Sequence, residues 1–306
     1  MKNTFQRCAA RIVLIISFAA FLYSPSVALA VTILGSAQNF AVLGGAGVTG
    51  TVPVNTITGN LGACCITDTV TGYPAAFSIL GGYGEYAGSV APESVAQSDV
   101  GTAILALNSL AGGPTTTKSD LTGDTLPPGV YVSGSAMSLS GTLNLDGGGN
   151  ANALWVFLMT SSLTINSGST INVYNTGAGA GVYWVMGASA YLDSNSLVEG
   201  NFLAYAGIPV DTNVTDPCGR LLTQTGSVTL AGSDTIGIGG IGNCSGILAG
   251  SSGLGGGGTL SENGTFIPAQ YASIGGRAPE PGTVPVLCGG FLALTLFGWQ
   301  SRKRVA

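Results

Sequence analysis

The 306-residue chain has no histidine and few charges, with nine Lys and Arg against fourteen Asp and Glu. Each shortage excludes a chemistry. Without histidine there is no Ser-His-Asp triad, no Cys-His pair and no histidine-bound metal. Without a run of cations, phosphates go unneutralised, so nucleic acid is not an expected partner. No cofactor is expected either. The turn Asp146-Gly147-Gly148-Gly149-Asn150 has oxygen donors of the calcium-binding kind, but it lacks a ladder of copies, so no metal is expected there. What the chain does have is 45% hydrophobic residues, enough for a core, together with 50 glycines and 30 threonines. A surface so poor in charge must be built from Gly, Ser, Thr and Asn.

Both ends read as addresses. In residues 1–30, Lys2, Arg7 and Arg11 precede an apolar run over 12–22, and Ala28-Leu29-Ala30 offers a small-x-small cleavage site. This is the layout of a secretory signal peptide, with an uncleaved anchor as the alternative. At the other end, Ala278-Pro279-Glu280-Pro281-Gly282-Thr283 leads into an apolar run over 284–299, closed by Arg302, Lys303 and Arg304. Residues 279–306 resemble a PEP-CTERM sorting signal. That resemblance implies a Gram-negative bacterium, export through its inner membrane, an exosortase-type processing enzyme as a partner, and a cell-surface or extracellular destination. A plain C-terminal transmembrane anchor is the simpler alternative. Between the ends, thirteen acids face Lys118, Arg220 and Arg277, so residues 31–278 carry 3 − 13 = −10. Cys64, Cys65, Cys218 and Cys244 remain in that region, and in an exported domain four cysteines favour disulfides with three connectivities open. A vicinal bridge would be strained. The expectation is therefore that Cys218 or Cys244 pairs with the other or across to the 64–65 doublet.

One stretch reads as a helix, about 92–112. Pro92-Glu93 suits a first turn, Val95, Val100, Ile104, Leu107 and Leu110 mark a stripe, and Gly112-Gly113-Pro114 stops it. The remainder is short β-branched and aromatic runs punctuated by Gly, Asn and Ser, the pattern of many short strands. These runs repeat. Met137-Ser138-Leu139, Leu163-Thr164-Ile165, Ala190-Tyr191-Leu192, the run around Val210, and Val228-Thr229-Leu230 can be superposed on Leu139, Ile165, Leu192, Val210 and Leu230. Coils of about 20 residues with small residues at the corners predict a β-solenoid over 31–240. A glycine-rich extension follows over 241–278. A β-sandwich is the alternative fold, but it leaves the recurring grammar unexplained.

In a solenoid, equivalent residues stack on neighbouring strands about 4.7–4.9 Å apart. Thr56, Thr142, Thr170, Thr215 and Thr235 would form one outward column, interrupted by Leu197, with Ser167, Ser194 and Thr212 in a second. Such hydroxyl ladders also stabilise sheets without any ligand.

Several segments carry a family resemblance. They include Ile33-Leu34-Gly35-Ser36-Ala37-Gln38-Asn39-Phe40, Leu126-Pro127-Pro128-Gly129-Val130-Tyr131, Val182-Tyr183-Trp184-Val185, Gly200-Asn201-Phe202-Leu203 and Gly219-Arg220-Leu221-Leu222-Thr223-Gln224. Taken in order over about 33–236, they resemble the bacterial and fungal ice-binding-like (antifreeze) domain. The resemblance implies a discontinuous right-handed parallel β-solenoid of triangular section, a single α-helix packed along one face, and a flat face that adsorbs to an ice crystal surface. The family's T-A/G-x-T/N turn is matched by Thr122-Gly123-Asp124-Thr125, which the sequence places in the loop after the helix. Ser167-Gly168-Ser169-Thr170 is a near match, while Thr212-Asn213-Val214-Thr215 and Ser194-Asn195-Ser196-Leu197 depart further. The expected ice-contacting set is Thr56, Thr142, Ser167, Ser169, Thr170, Ser194, Ser196, Thr212, Thr215, Asp234 and Thr235. Two rivals stand beside this reading. One is a carbohydrate-active enzyme using Asp193, Glu199, Asp211 or Asp216, against which corner aspartates that cap turns are the commoner arrangement. The other is a structural or adhesive protein of an exopolysaccharide matrix.

Overall fold

The computed structural model describes residues 31–65, 69–88, 91–238, 244, 248, 251–260 and 265–269. The two address-like ends, with Cys8 and Cys288, lie outside the described residues. Three parallel sheets wind around one core, giving the solenoid that the repeats predict. Nine strands form the first sheet and seven the second. The third is split into groups of three and four strands, and single bridges from Leu197 to Thr170 and Thr215 join them. The stacking of the repeats is reproduced residue by residue. Leu139 lies against Ile165, then Leu192, Val210 and Leu230, all buried.

Chain order and stacking order differ. The coils climb from residues 116–126 to 219–238, and the N-terminal coils then continue the stack. Val42 and Leu43 pair with Leu221 and Leu222, Val48 with Val228, and Thr56 with Thr235. This is the discontinuity of the solenoid.

The first sheet is buried on both faces. Its inner face carries an aromatic stack of Tyr131, Phe157, Trp184 and Phe202, with successive ring centroids 5.1, 3.9 and 5.8 Å apart. Its outer face, with Val156, Leu158, Tyr183, Leu203 and Leu222, is covered by helix α1, Glu93–Asn108, which a 3-10 turn extends through Ser109–Gly112. Ala96, Val100, Ala103, Ile104 and Leu107 form the buried stripe. Val95, expected on that stripe, is instead exposed: it precedes the buried Ala96, and the stripe returns at Val100 and Ala103.

Described parts of the glycine-rich extension pack back on the solenoid. Gly258–Leu260 pairs antiparallel with both Val31–Thr32 and Phe266–Pro268. The buried Arg220 guanidinium holds residues 252–253 down, donating to the carbonyls of Ser252 (2.8 Å), Gly253 (3.0 Å) and Gln38 (2.7 Å) and to Asn201 Oδ1 (2.6 Å). Cys218 is bonded to Cys244, one of the expected pairings. The doublet departs from expectation, because Cys64 and Cys65 are bonded to each other, across a cis peptide.

Candidate binding face

The third sheet carries the predicted column in unbroken register. Along the stack it reads Thr142, Thr170, Leu197, Thr215, Thr235, Thr56 and Ser78. Each member precedes a residue of the inward column, which holds the fully buried Leu143, Ile171, Val198, Ile236 and Ile57, so strand alternation turns the hydroxyls outward. Thr142 is exposed, and the other four threonines of the expected column are half-buried, with Leu197 between Thr170 and Thr215. Ser78 completes the row. It was missed because its coil, Phe77–Leu80, lacks the threonine that marks the others, although its Phe-Ser-Ile alternation was the available signal. Beside this row, Thr125, Asn144 and Asn172 form a shorter one, with Asn172 donating to Asn144 Oδ1 at 3.1 Å.

The corner feeding this face repeats one backbone device. Gly168, Asn195, Asn213 and Ser233 adopt positive φ of 70°, 60°, 64° and 62°, the region open to glycine and tolerated by Asn. Asn213 donates to Asn195 Oδ1 at 2.8 Å, stiffening the edge. Ser167, Ser194 and Thr212 sit at this corner, with Ser167 and Thr212 exposed, so the second expected column lies at the rim of the face. Thr122-Gly123-Asp124-Thr125 belongs here too. It is the corner of the terminal coil, Thr125 pairs with Asn144, and Gly123 donates to the Thr142 carbonyl. The motif, expected in the loop after the helix, is a turn that leads into the sheet at Thr125.

Three expected contact residues do not reach the surface. Ser169, Ser196 and Asp234 are buried in an inward column one residue before the threonines. Ser169 Oγ donates to the Leu139 carbonyl and Ser196 Oγ to the Asp193 carbonyl. Asp234 accepts from the Val214 and Gly232 N–H groups at 2.8 and 3.2 Å, and burial pushes its carboxyl up to about 6. The same alternation that turns Thr170 outward turns Ser169 inward, so the sequence already held the signal against them.

The acids considered for catalysis fall into two separated pairs. Asp193 and Asp211 stand on adjacent coils at the corner, and each accepts the next residue's N–H on Oδ1, as turn-capping aspartates do. Asp216 is buried at the end of the third-sheet strand Thr215–Asp216, and Glu199 is half-buried just before the first-sheet strand Gly200–Ala204. Burial pushes Glu199 up to about 7 and raises Asp216 well above the carboxylate range, with their mutual repulsion adding to the latter. One ion pair, Lys118 with Asp124 at 2.6 Å, occurs among the described residues. The threonine row itself carries no charge.

A family model described as "Ice-binding-like" matches residues 42–236. An "Ice-binding protein" of Nostoc sp. (strain HG1) is 40% identical over 72% of this chain and 78% of its own length. Among solved structures, an ice-binding protein from the Antarctic ascomycete Antarctomyces psychrotrophicus is 31% identical, with a TM-score of 0.60 over 68% of this chain and 98% of that one. One from an Antarctic biological consortium is 30% identical, with a TM-score of 0.61 over 70% and 93% of the two chains.

Proposed function

The chain belongs to the ice-binding-like family, and from that membership we propose that it adsorbs to ice through the third sheet. The observation that carries the reading is the single uncharged row from Thr142 to Ser78, in which methyls and hydroxyls repeat at the spacing of adjacent strands. Ice is neutral. A charge pressed against it would lose its hydration with no ionic partner to offset the loss, whereas a threonine offers a hydroxyl that can join the lattice and a methyl that gains by leaving water. Rigidity supports the same end. Each threonine stands on a strand backed by the aliphatic column inside, so the face loses little conformational freedom on adsorption. Thr56, Thr142, Thr170, Thr215 and Thr235 make the contact, Ser78 extends it, and Ser167, Ser194 and Thr212 form its rim.

The ends fit a protein exported through the inner membrane of a Gram-negative bacterium. In this reading a signal peptide over 1–30 is removed, an exosortase-type enzyme processes 279–306, and the ice-binding domain works outside the cell or at its surface. Among the described residues no helix is long and apolar enough to cross a membrane.

Ice-affinity partitioning tests the reading. The purified protein should be incorporated into a growing ice hemisphere, and Thr170→Tyr and Thr235→Tyr, each placing a ring above the row, should be excluded from it. Exclusion of the unaltered, folded protein refutes ice adsorption. Incorporation unchanged by both substitutions moves the contact to another face.

A further inference from the structure

We propose that the second sheet carries a separate binding site for a sugar ring of a polysaccharide, centred on Tyr191. The outward row of that sheet reads Ser138, Thr164, Tyr191, Pro209, Thr229, Thr49 and Thr71. It is a hydroxyl row broken at two adjacent coils. The corner row beside it, aligned by matching backbone hydrogen bonds, reads Asn166, Asp193, Asp211, Ala231 and Thr51, and it turns acidic at the same two coils. The two departures together build one open groove of about 500 Å³, walled by Tyr191 and Pro209 on one side and by Asp193 and Asp211 on the other. Thr164 and Ala231 close its ends.

The chemistry of the walls selects the occupant. Tyr191 is 49% exposed and Pro209 is exposed beside it, so a wet apolar surface awaits a flat apolar partner. Asp193 and Asp211 have each committed Oδ1 to a backbone N–H, at 2.7 and 2.8 Å, which fixes the carboxylates. Neither Oδ2 has a hydrogen bond or ion pair among the described residues. Ionised carboxylates only accept, so the ligand must bring donors. Like charges side by side on adjacent strands are unfavourable, and a donor-rich ligand relieves them. A pyranose ring has both required surfaces, a C–H face for the ring of Tyr191 and a rim of hydroxyls for the carboxylates. An anion is repelled, and a bare metal ion leaves the aromatic wall unused. Because Tyr191 projects from the sheet, this face also lacks the flatness that ice adsorption needs, so the two surfaces serve different partners.

Affinity electrophoresis of the purified full chain in native gels containing mixed-linkage β-glucan, xylan or dextran tests the site. The expected result is retardation in at least one gel, weakened about tenfold by Tyr191→Ala and retained by Tyr191→Phe. Asp193→Asn and Asp211→Asn keep the turn hydrogen bond but replace an acceptor by a donor, so each should reduce retardation. Incorporation into ice should be unchanged in all four variants, which separates failure of this site from failure of ice adsorption. Absence of retardation in all three gels, or retardation indifferent to Tyr191→Ala, overturns the proposal. Retardation lost with the asparagine variants but not with Tyr191→Ala overturns it in favour of recognition by the carboxylates alone.

Discussion

Stability should fall as pH rises through neutrality, which is the reverse of ordinary acid denaturation. Glu199 carries the measurable part. Its carboxyl titrates near 4.5 when free and near 7 in the fold, because burial penalises its charged form more than the Val173 N–H relieves it. Between those values the folded chain holds a proton that the unfolded chain has released. The stabilisation is therefore complete below about pH 4.5 and is lost as pH climbs through 7. A rise from 4.5 to about 7 corresponds to about 3 kcal/mol. Asp216 and Asp234 are raised for the same primary reason and add in the same direction. The exposed Asp120 and the half-buried Asp146 are lowered by hydrogen bonds from Thr122 and from Gly148 with Asn175, so they oppose the trend only below their free value of 3.8. Urea unfolding at pH 5 and pH 8 is the assay. At roughly 2–3 kcal/mol per molar urea, the midpoint should drop by about 1 M or more at the higher pH. Glu199→Gln, which remains neutral throughout, should lessen that drop, leaving the share of Asp216 and Asp234. A midpoint that is level or rises from pH 5 to 8, or a slope unchanged by Glu199→Gln, would refute the reasoning.

Other substitutions probe other parts of the structure. Leu197→Thr fills the one break in the threonine row and should raise incorporation into ice, while changing stability by no more than about 0.5 kcal/mol at this exposed site; lower incorporation would mean that the row need not be continuous. Arg220→Met strips donors from three backbone carbonyls and Asn201, and should cost about 3 kcal/mol or more by urea unfolding, with residues 252–253 becoming an early protease target. Trp184→Ala opens the middle of the aromatic stack and also frees the Glu199 carbonyl bonded to its indole, so a loss of about 3–5 kcal/mol is expected in the same assay.

Much of this architecture was legible because a solenoid writes its contacts as periodicity. Once Leu139, Ile165, Leu192, Val210 and Leu230 are aligned, the neighbours of every other residue in those coils follow. The outward threonines were found in that way. Ser169, Ser196 and Asp234 were misassigned because polar residues near a threonine were grouped by composition, when alternation already turned them inward. Other features had no local signature. Nothing adjacent in sequence announces that Val42 will lie on Leu221, since more than 170 residues separate them. Nothing in the sequence of the extension after residue 240 tells whether it packs, because its anchor, Arg220, resides in a solenoid strand. Of the binding groove, the sequence held only the equivalence of Asp193 and Asp211, which follow the aligned Leu192 and Val210. Tyr191 looked like an ordinary strand residue until its partner proved to be proline.

The inverted stacking of the first coils has a consequence for how the molecule is made. Residues 116–238 can build coil upon coil as they emerge, each new strand finding a template about 15–28 residues behind it. Residues 40–87 emerge earlier and stack on one another, Phe40–Gly44 against Asn60–Ala63 and Asn55–Thr58 against Phe77–Leu80, but one edge of that stack has no partner until the coil at 219–238 exists to receive it. Loop-closure entropy must be met before those contacts reward it, which makes this step the slow one. Until then the N-terminal strands present unpaired edges and apolar columns to their surroundings, the condition in which chains aggregate. The oldest part of the nascent chain is thus the last to be sheltered, and its docking is the event that turns a growing ladder into a closed, finished molecule.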